Sequence, residues 1–360
     1  MFRRRKRTQM NVTTPVADFW KNPVVIAPNN FVHKSLSNWA VNTAVGCAHA
    51  CRFCYVPSVA TIKQSSRLAE FGVKDPDADW GNYVLLRPWD EQKFLASLRA
   101  ADRTPVRELK PDGNRAVIFC STTDPYQTIG HPDPAKRREL ADSARSIIRR
   151  SLELIRDESS LNVRILTRSP LAKIDFDLFK TFGHRLLFGM SLPTLRNDLA
   201  KIYEPKAPAP SQRLATLKAA REAGIHIYVA VAPTYPECDR ADLRKTLGAI
   251  ALLNPVTIFH EPINIRAENV ARIKIHAETL GVAVKTEVFE TRETWERYAL
   301  ESLKTMHEVA DEFGLKKQLH LWPDRSLGSP SVIKRMPKQA QYSRWLNRCW
   351  NRVSDWPKAA

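Results

Sequence analysis

The chain has 360 residues, 43% of them apolar and 26% charged. That balance excludes a disordered, collagen-like or mucin-like chain, and the length allows a large core without disulfide staples. Lysine and arginine number 56 against 38 acidic residues, a net charge of +18, which argues for a polyanionic partner, nucleic acid before an acidic membrane surface.

Residues 1–35 read as a basic, flexible arm. Arg3, Arg4, Arg5, Lys6 and Arg7 are followed by polar Thr8, Gln9, Asn11, Thr13 and Thr14, not by the apolar stretch of a signal peptide. The longest apolar candidate, Leu247 to Phe259, is interrupted by Asn254 and Pro255, well short of the ~20 residues of a membrane span. A cytoplasmic protein with no membrane partner is the simplest expectation.

From about Trp39 short apolar strands alternate with longer amphipathic segments. Residues 55–90 form a polar insertion after the first strand. Ala116–Cys120 reads as a buried strand and Lys136–Ile155 as a helix. Strands follow at Val163–Thr167, Leu186–Leu192, Ile225–Pro233 and Val256–Pro262. The helix-like segments between and after them are Ile174–Phe182, Ser211–Ala223 (closed by Gly224), Asp239–Leu253 and Ala267–Leu280. This βα alternation over residues 36–282 implies a parallel sheet covered by helices, open or closed into a barrel, with the ligand site beyond the carboxyl ends of the strands. His260, Glu261 and Asn264, which follow the apolar VTIF run, are substrate-site candidates on that ground.

Residues 283–360 form a helical, basic extension. A long helix is expected over Thr291–Phe313 and a short strand over Gln318–Trp322. From Ser331 onward Lys334, Arg335, Lys338, Arg344, Arg348, Arg352 and Lys358 stand against Asp355 alone, with Tyr342, Trp345, Trp350 and Trp356 interleaved. Arginines among aromatics suit phosphate contact and base stacking. The spacing of Trp345 and Cys349 favours instead a helix docked on the domain, its outer face basic.

Of six cysteines, Cys47, Cys51 and Cys54 crowd into one CxxxCxxC segment, while Cys120, Cys238 and Cys349 are scattered. Three thiolates from one loop can hold three irons of a [4Fe–4S] cube, whose usual complement is four cysteines. The bare fourth iron can chelate the amino and carboxylate groups of S-adenosylmethionine. The alternative is zinc with His49 as fourth ligand, in a non-catalytic nucleic-acid-binding module; no second ligand pair supports it.

The motif, with aromatic Phe53 before the last cysteine, resembles the signature of the radical S-adenosylmethionine superfamily. Thr123-Asp124-Pro125-Tyr126-Gln127, Leu166 to Leu171, Ser191 to Thr194 and Glu204-Pro205 are similar to segments of its spore photoproduct lyase-like, DNA repair photolyase-related branch. The likeness spans roughly residues 38–280. It implies a partial (β/α)6 TIM-like barrel of the α/β class. It also implies reductive cleavage of S-adenosylmethionine to a hydrogen-abstracting 5′-deoxyadenosyl radical, driven by an external donor such as flavodoxin or ferredoxin. Cys47, Cys51 and Cys54 would ligate iron, Phe53 pack near the adenine, Asp124 accept from the cofactor ammonium, Arg168 meet its carboxylate and Ser191 bond its ribose. Glu204 and Arg213 read as a structural pair. In the lyase a cysteine on the second strand returns hydrogen to the product; Ser121 occupies that position here. Cys120, one residue earlier, should face away unless a bulge intervenes. Tyr55 and Tyr126 are the remaining hydrogen-relay candidates. The substrate expected is a nucleic acid, undergoing repair or modification; a protein or small molecule is the alternative.

Overall fold

The apolar runs form strands where the alternation predicts them, and a computed structural model of the chain describes residues 15–29, 36–59, 62, 66–110 and 113–359. Eleven strands occur among them: β1 (Val16–Phe19), β2 (Ile26–Pro28), β3 (Trp39–Val41), β4 (Ala44–Gly46), β5 (Tyr83–Leu86), β6 (Ala116–Phe119), β7 (Asn162–Thr167), β8 (Leu186–Ser191), β9 (Ile227–Thr234), β10 (Thr257–Pro262) and β11 (Leu319–Leu321). The helices are α1 (Ser66–Ala69), α2 (Glu91–Asp102), α3 (Pro134–Glu158), α4 (Phe176–Lys180), α5 (Asn197–Tyr203), α6 (Pro210–Glu222), α7 (Arg240–Ala251), α8 (Asn269–Leu280), α9 (Arg292–Glu312), α10 (Pro330–Arg335) and α11 (Gln339–Trp350).

The main sheet runs β11-β10-β9-β8-β7-β6-β3-β2. Every neighbouring pair from β3 to β11 is parallel, and β2 closes the edge antiparallel to β3. The sheet therefore holds the six parallel strands of the expected partial barrel plus a seventh from the C-terminal extension. Helix starts carry ordinary caps: Asp90, Asp133 and Asp239 side chains accept from the first-turn amides of α2, α3 and α7. One face of the sheet packs against the helices in a core that includes Val117, Phe119, Val163, Ile165, Val229 and Ile258.

The opposite face is the lumen, where Leu187, Tyr228 and Phe259 cluster with Leu36, Leu166, Trp322 and Trp356. Register puts Arg164 beside Leu187. Its guanidinium is fully buried and sits 5.0 Å from the Tyr228 ring, 5.5 Å from Phe259 and 5.0 Å from Trp356. No carboxylate pairs with it among the described residues; Nε donates to Leu36 O at 2.8 Å and a terminal nitrogen to Ser354 Oγ at 3.3 Å. Aromatic faces thus replace a counterion.

Three expectations change. The arm predicted through residue 35 includes β1 and β2, which pair with β5 and β3; the Arg3–Arg7 cluster lies outside the described residues. The insertion at 55–90 contains the wholly buried β5, which joins β1 and β4 in a second sheet. His260 does not face the lumen: parity with Phe259 turns it outward, onto Thr234 Oγ1 (3.0 Å) and Ser302 of α9 (3.3 Å). Glu261, of the opposite parity, and Asn264 stay together at the strand end, 3.2 Å apart.

The tail docks, as its spacing suggests. Trp350 and Trp356 indoles donate to Pro323 O (2.8 Å) and His184 O (2.9 Å), and Tyr342 to Leu327 O (2.9 Å). Lys334, Lys338, Arg344 and Arg348 remain exposed. Trp356→Ala should lower stability by about 2 kcal/mol, from lost packing and an uncovered guanidinium, measured by urea unfolding. Burial also pushes the His260 imidazole down to about 4 from 6.5. The unfolded chain then binds the extra proton first, so this stabilisation is complete above pH ~6.5 and is lost as pH falls toward ~4. His260→Asn should flatten the pH dependence of the unfolding midpoint over that interval.

Candidate active site

The cysteine segment leaves β4 through Gly46, whose φ is +90° and whose missing Cβ would stand 2.2 Å from Tyr83 O; only glycine allows this approach of β4 and β5. The segment then crosses the carboxyl ends of the strands, held by many bonds. Thr123 Oγ1 donates to Gly46 O (2.5 Å), the Ala48 amide to Gln127 Oε1 (2.6 Å), the Arg52 amide to Tyr203 O (2.8 Å) and the Lys206 amide to His49 O (3.3 Å).

Cys47, Cys51 and Cys54 are free thiols. Burial raises all three above the ordinary thiol value, Cys51 to about 12. Neighbouring thiols add to this at Cys47 and Cys51, whereas at Cys54 the Arg272 and Arg168 guanidiniums oppose it. Opposing this, the His49 amide bonds the Cys47 sulfur and the Tyr55 and Val56 amides bond that of Cys54. Three crowded sulfurs, Cys51 buried and Cys47 and Cys54 half-buried with amide donors, are a ligand set awaiting positive charge, and they could hold an iron–sulfur cluster. Among the described residues no three His, Cys, Asp or Glu side chains converge on one metal ion.

Asp124, at the end of β6, is buried. Its Oδ1 accepts from Thr167 Oγ1 (2.7 Å) and the Tyr126 amide (2.9 Å), and its Oδ2 from the Arg168 amide (2.8 Å), with His49 Nδ1 at 3.3 Å. Burial opposes its ionisation, but His49, Thr167 and the Arg168 amide hold its carboxyl down to about 2. Three protein donors and the nearby His49 ring thus surround this carboxylate. The residue expected to receive the cofactor ammonium also ties β7 and the cysteine loop to the segment after β6.

Arg168 is only partly buried, its guanidinium 5.7 Å from the Phe53 ring centre. Its Nε donates to Glu204 Oε1 at 2.6 Å, and Arg213 pairs with Glu204 Oε2 at 2.5 Å. Burial disfavours the Glu204 carboxylate, yet the two guanidiniums hold its carboxyl below the ordinary value. Two cations for one anion leave a surplus positive charge at the site. Arg213 also donates to Ser191 O at 3.1 Å, tying buried Ser191 into the same frame. Phe53 packs 5.8 Å from Tyr235, which stacks on Tyr203 at 4.1 Å.

The hydrogen-relay candidates separate. Cys120 has φ +62°, a left-handed conformation that breaks strand parity. Its thiol, pushed up to about 12 by burial, lies 3.4 Å from Thr43 Oγ1. Ser121 instead joins Asn42 (3.3 Å), and the Tyr55 hydroxyl donates to Ser121 O at 2.7 Å. Tyr126 is removed from the mouth: it is buried and donates to Asp175 Oδ2 (3.0 Å), which Arg149 of α3 also holds. Sequence reasoning missed Tyr203, Tyr235, Asn269 and Arg272 around the cysteine loop, and His49 as Asp124's partner. Tyr235 just after an apolar strand carried a signal; Arg272, inside an ordinary helix pattern, carried none.

The sequence pattern described as "Radical SAM superfamily" matches residues 41–248. An uncharacterized protein of Acidianus two-tailed virus is 32% identical over 253 residues, 68% of this chain and 74% of that one. An uncharacterized protein of Methanocaldococcus jannaschii is 24% identical over 272 residues, 75% and 86% of the two chains. Among solved structures, a spore photoproduct lyase variant superposes with a TM-score of 0.58 at 13% identity, over 85% of this chain and 81% of that one. Another, holding AdoMet and a dinucleoside spore photoproduct, gives 0.56 at 13% identity, over 85% and 81%. Superfamily proteins bind a [4Fe–4S] cluster and S-adenosylmethionine. With the pattern spanning more than half its length, the chain belongs to the radical S-adenosylmethionine superfamily and is an enzyme of that class.

Proposed function

We propose that Cys47, Cys51 and Cys54 hold the [4Fe–4S] cluster through three of its irons, and that the enzyme acts on a nucleic acid, repairing or modifying a base. The observation that carries the first part is the loop itself: three free thiols crowded on eight residues, Cys51 buried and Cys47 and Cys54 half-buried with amide donors, beside the surplus charge of Arg168, Glu204 and Arg213. When bound, the cluster supplies the electron that splits S-adenosylmethionine into methionine and a 5′-deoxyadenosyl radical able to take hydrogen from substrate.

The chain's own residues bind and orient. Arg168 meets the cofactor carboxylate, held in place by Glu204, which Arg213 anchors in turn. Phe53 and Tyr235 offer aromatic surface for the adenine, and Ser191 a hydroxyl for the ribose. Asp124 acts indirectly, holding His49 and so the loop. Tyr55 and Ser121 at the mouth are the candidates for contact with substrate. Tyr126 and Cys120 are assigned packing roles, so no thiol returns hydrogen as the lyase cysteine does, and the reaction differs from spore photoproduct cleavage in that step. The reductant is an external carrier such as flavodoxin or ferredoxin, and free thiols suit the reducing cytoplasm.

The net charge of +18 supports the nucleic-acid substrate, as do the exposed cations of the tail. The related fold that holds a dinucleoside points the same way. Because the tail tryptophans are spent on docking, its contact is with phosphates and not with stacked bases. Purified without oxygen, the protein should be brown with about four irons and four sulfides, as the cube requires; a colourless zinc protein overturns the assignment. Cys51→Ala should abolish 5′-deoxyadenosine formation, followed by chromatography. Affinity for single- or double-stranded DNA or RNA should fall roughly a thousandfold between about 50 and 200 mM salt if some six phosphates are contacted. Salt-independent binding, or none, favours a protein or small-molecule substrate.

A further inference from the structure

Helix α8 begins after the last barrel strand, more than two hundred residues from the cysteine loop, and its first turn reaches that loop directly. Asn269 and Arg272 are three apart and so share one helix face; both are buried. The Arg272 Nε donates to Arg52 O at 3.2 Å, and one of its terminal nitrogens to Cys54 O. The Asn269 Nδ2 donates to Phe53 O at 3.2 Å and to Asn264 O at 2.8 Å. Three successive carbonyls, those of residues 52, 53 and 54, are therefore each gripped by a side chain of one helix. Asp77, from the insertion, pairs with the remaining arm of the guanidinium.

Peptide planarity gives this grip a consequence at the sulfurs. In a trans peptide the N–H points opposite to the C=O of the same unit. Fixing Cys54 O toward Arg272 therefore aims the Tyr55 N–H the other way, and that amide bonds the Cys54 sulfur. Hydrogen bonds to cluster sulfurs, and nearby charge, set the reduction potential of an iron–sulfur centre. Both act here in one direction: an aligned donor and a cation each favour the state with one more electron.

We infer that Arg272, assisted by Asn269, is a positioning residue that raises the reduction potential of the cluster by fixing the carbonyls of residues 52–54. It touches neither cofactor nor substrate in this role. The inference rests on Cys47, Cys51 and Cys54 being the cluster ligands. Arg272→Lys keeps the charge but loses the fork that spans two carbonyls and a carboxylate; Arg272→Gln loses both.

The test is a reductive titration of the reconstituted full-length protein without S-adenosylmethionine, followed by electron paramagnetic resonance, with iron and sulfide analysis of every sample. Relative to wild type, Arg272→Gln should shift the reduction equilibrium at least tenfold against the reduced state, about 59 mV for a one-electron couple. Arg272→Lys should shift it less, and Asn269→Ala should shift it in the same direction with the charge left in place. Full iron content with an unchanged potential and signal in Arg272→Gln overturns the inference. Should that variant fail to retain its cluster, Asn269→Ala decides: a shifted titration supports the inference and an unshifted one overturns it. A wild-type protein without any cube overturns the ligand assignment instead, and the iron analysis separates that failure from this one.

Discussion

Everything at the active end depends on keeping three sulfurs close but apart, one buried and two half-buried, on eight residues of chain. Left alone, such a loop would collapse into a disulfide or swing into water, because burying thiolates beside one another is costly. The protein answers with backbone geometry and not with sulfur chemistry. Gly46 admits the loop beneath Tyr83, Thr123 and Gln127 anchor its start, Asp124 holds His49 at its middle, and Asn269 with Arg272 hold its end. Each anchor comes from a different part of the sheet or its helices, so the loop is only as well placed as the barrel is well folded.

The electrostatics follow the same plan. Buried charge is tolerated where it is paired and hydrogen-bonded. Glu204 is enclosed by Arg168 and Arg213, and Asp77 meets Arg272. The two groups leave Arg168 and Arg272 on either side of the cysteines, and each counters the thiolate charge at Cys54. At the opposite end of the lumen Arg164 has no acid among the described residues, only rings, the Leu36 carbonyl and the Ser354 hydroxyl. A cation there fixes the position of the tail without drawing on the charge balance of the site.

The parts legible in the sequence were those governed by period. Helices α3, α6, α7 and α9 lie within a few residues of their apolar pattern, and the parallel order follows from the βα alternation. The cysteine motif was legible because its spacing is chemistry. What escaped was governed by partners far along the chain. Strands β1, β2 and β5 are three or four residues long, too short for alternation to register, and they exist because they pair with one another or with β3. Strand alternation gave no guide at two informative places. Cys120 turns left-handed, which breaks the alternation and leaves its thiol on Thr43 and the Ser121 hydroxyl on Asn42. At His260 the apolar run gave no indication which of Phe259 and His260 enters the lumen; Ser302 on α9 settles it from outside.

The C-terminal segment shows why composition alone misassigns such features. Interleaved tryptophans and arginines suit nucleic-acid stacking and suit docking equally well, since both need an aromatic face beside a cation. The fold separates the two by geometry. Trp356 covers Arg164 from below and bonds His184 O, Trp350 bonds Pro323 O beside Arg325, and Arg352 reaches back to Leu319 O at the strand that extends the barrel. The aromatics and Arg352 thus close the lumen floor and the added β11 edge, while Lys334, Lys338, Arg344 and Arg348 face solvent. A segment that seals one end of the barrel and presents free cations on its outer side couples the integrity of the fold to the charge on its surface. Losing the seal would disturb both together, whereas losing the outer cations would leave the barrel and its cysteine loop intact.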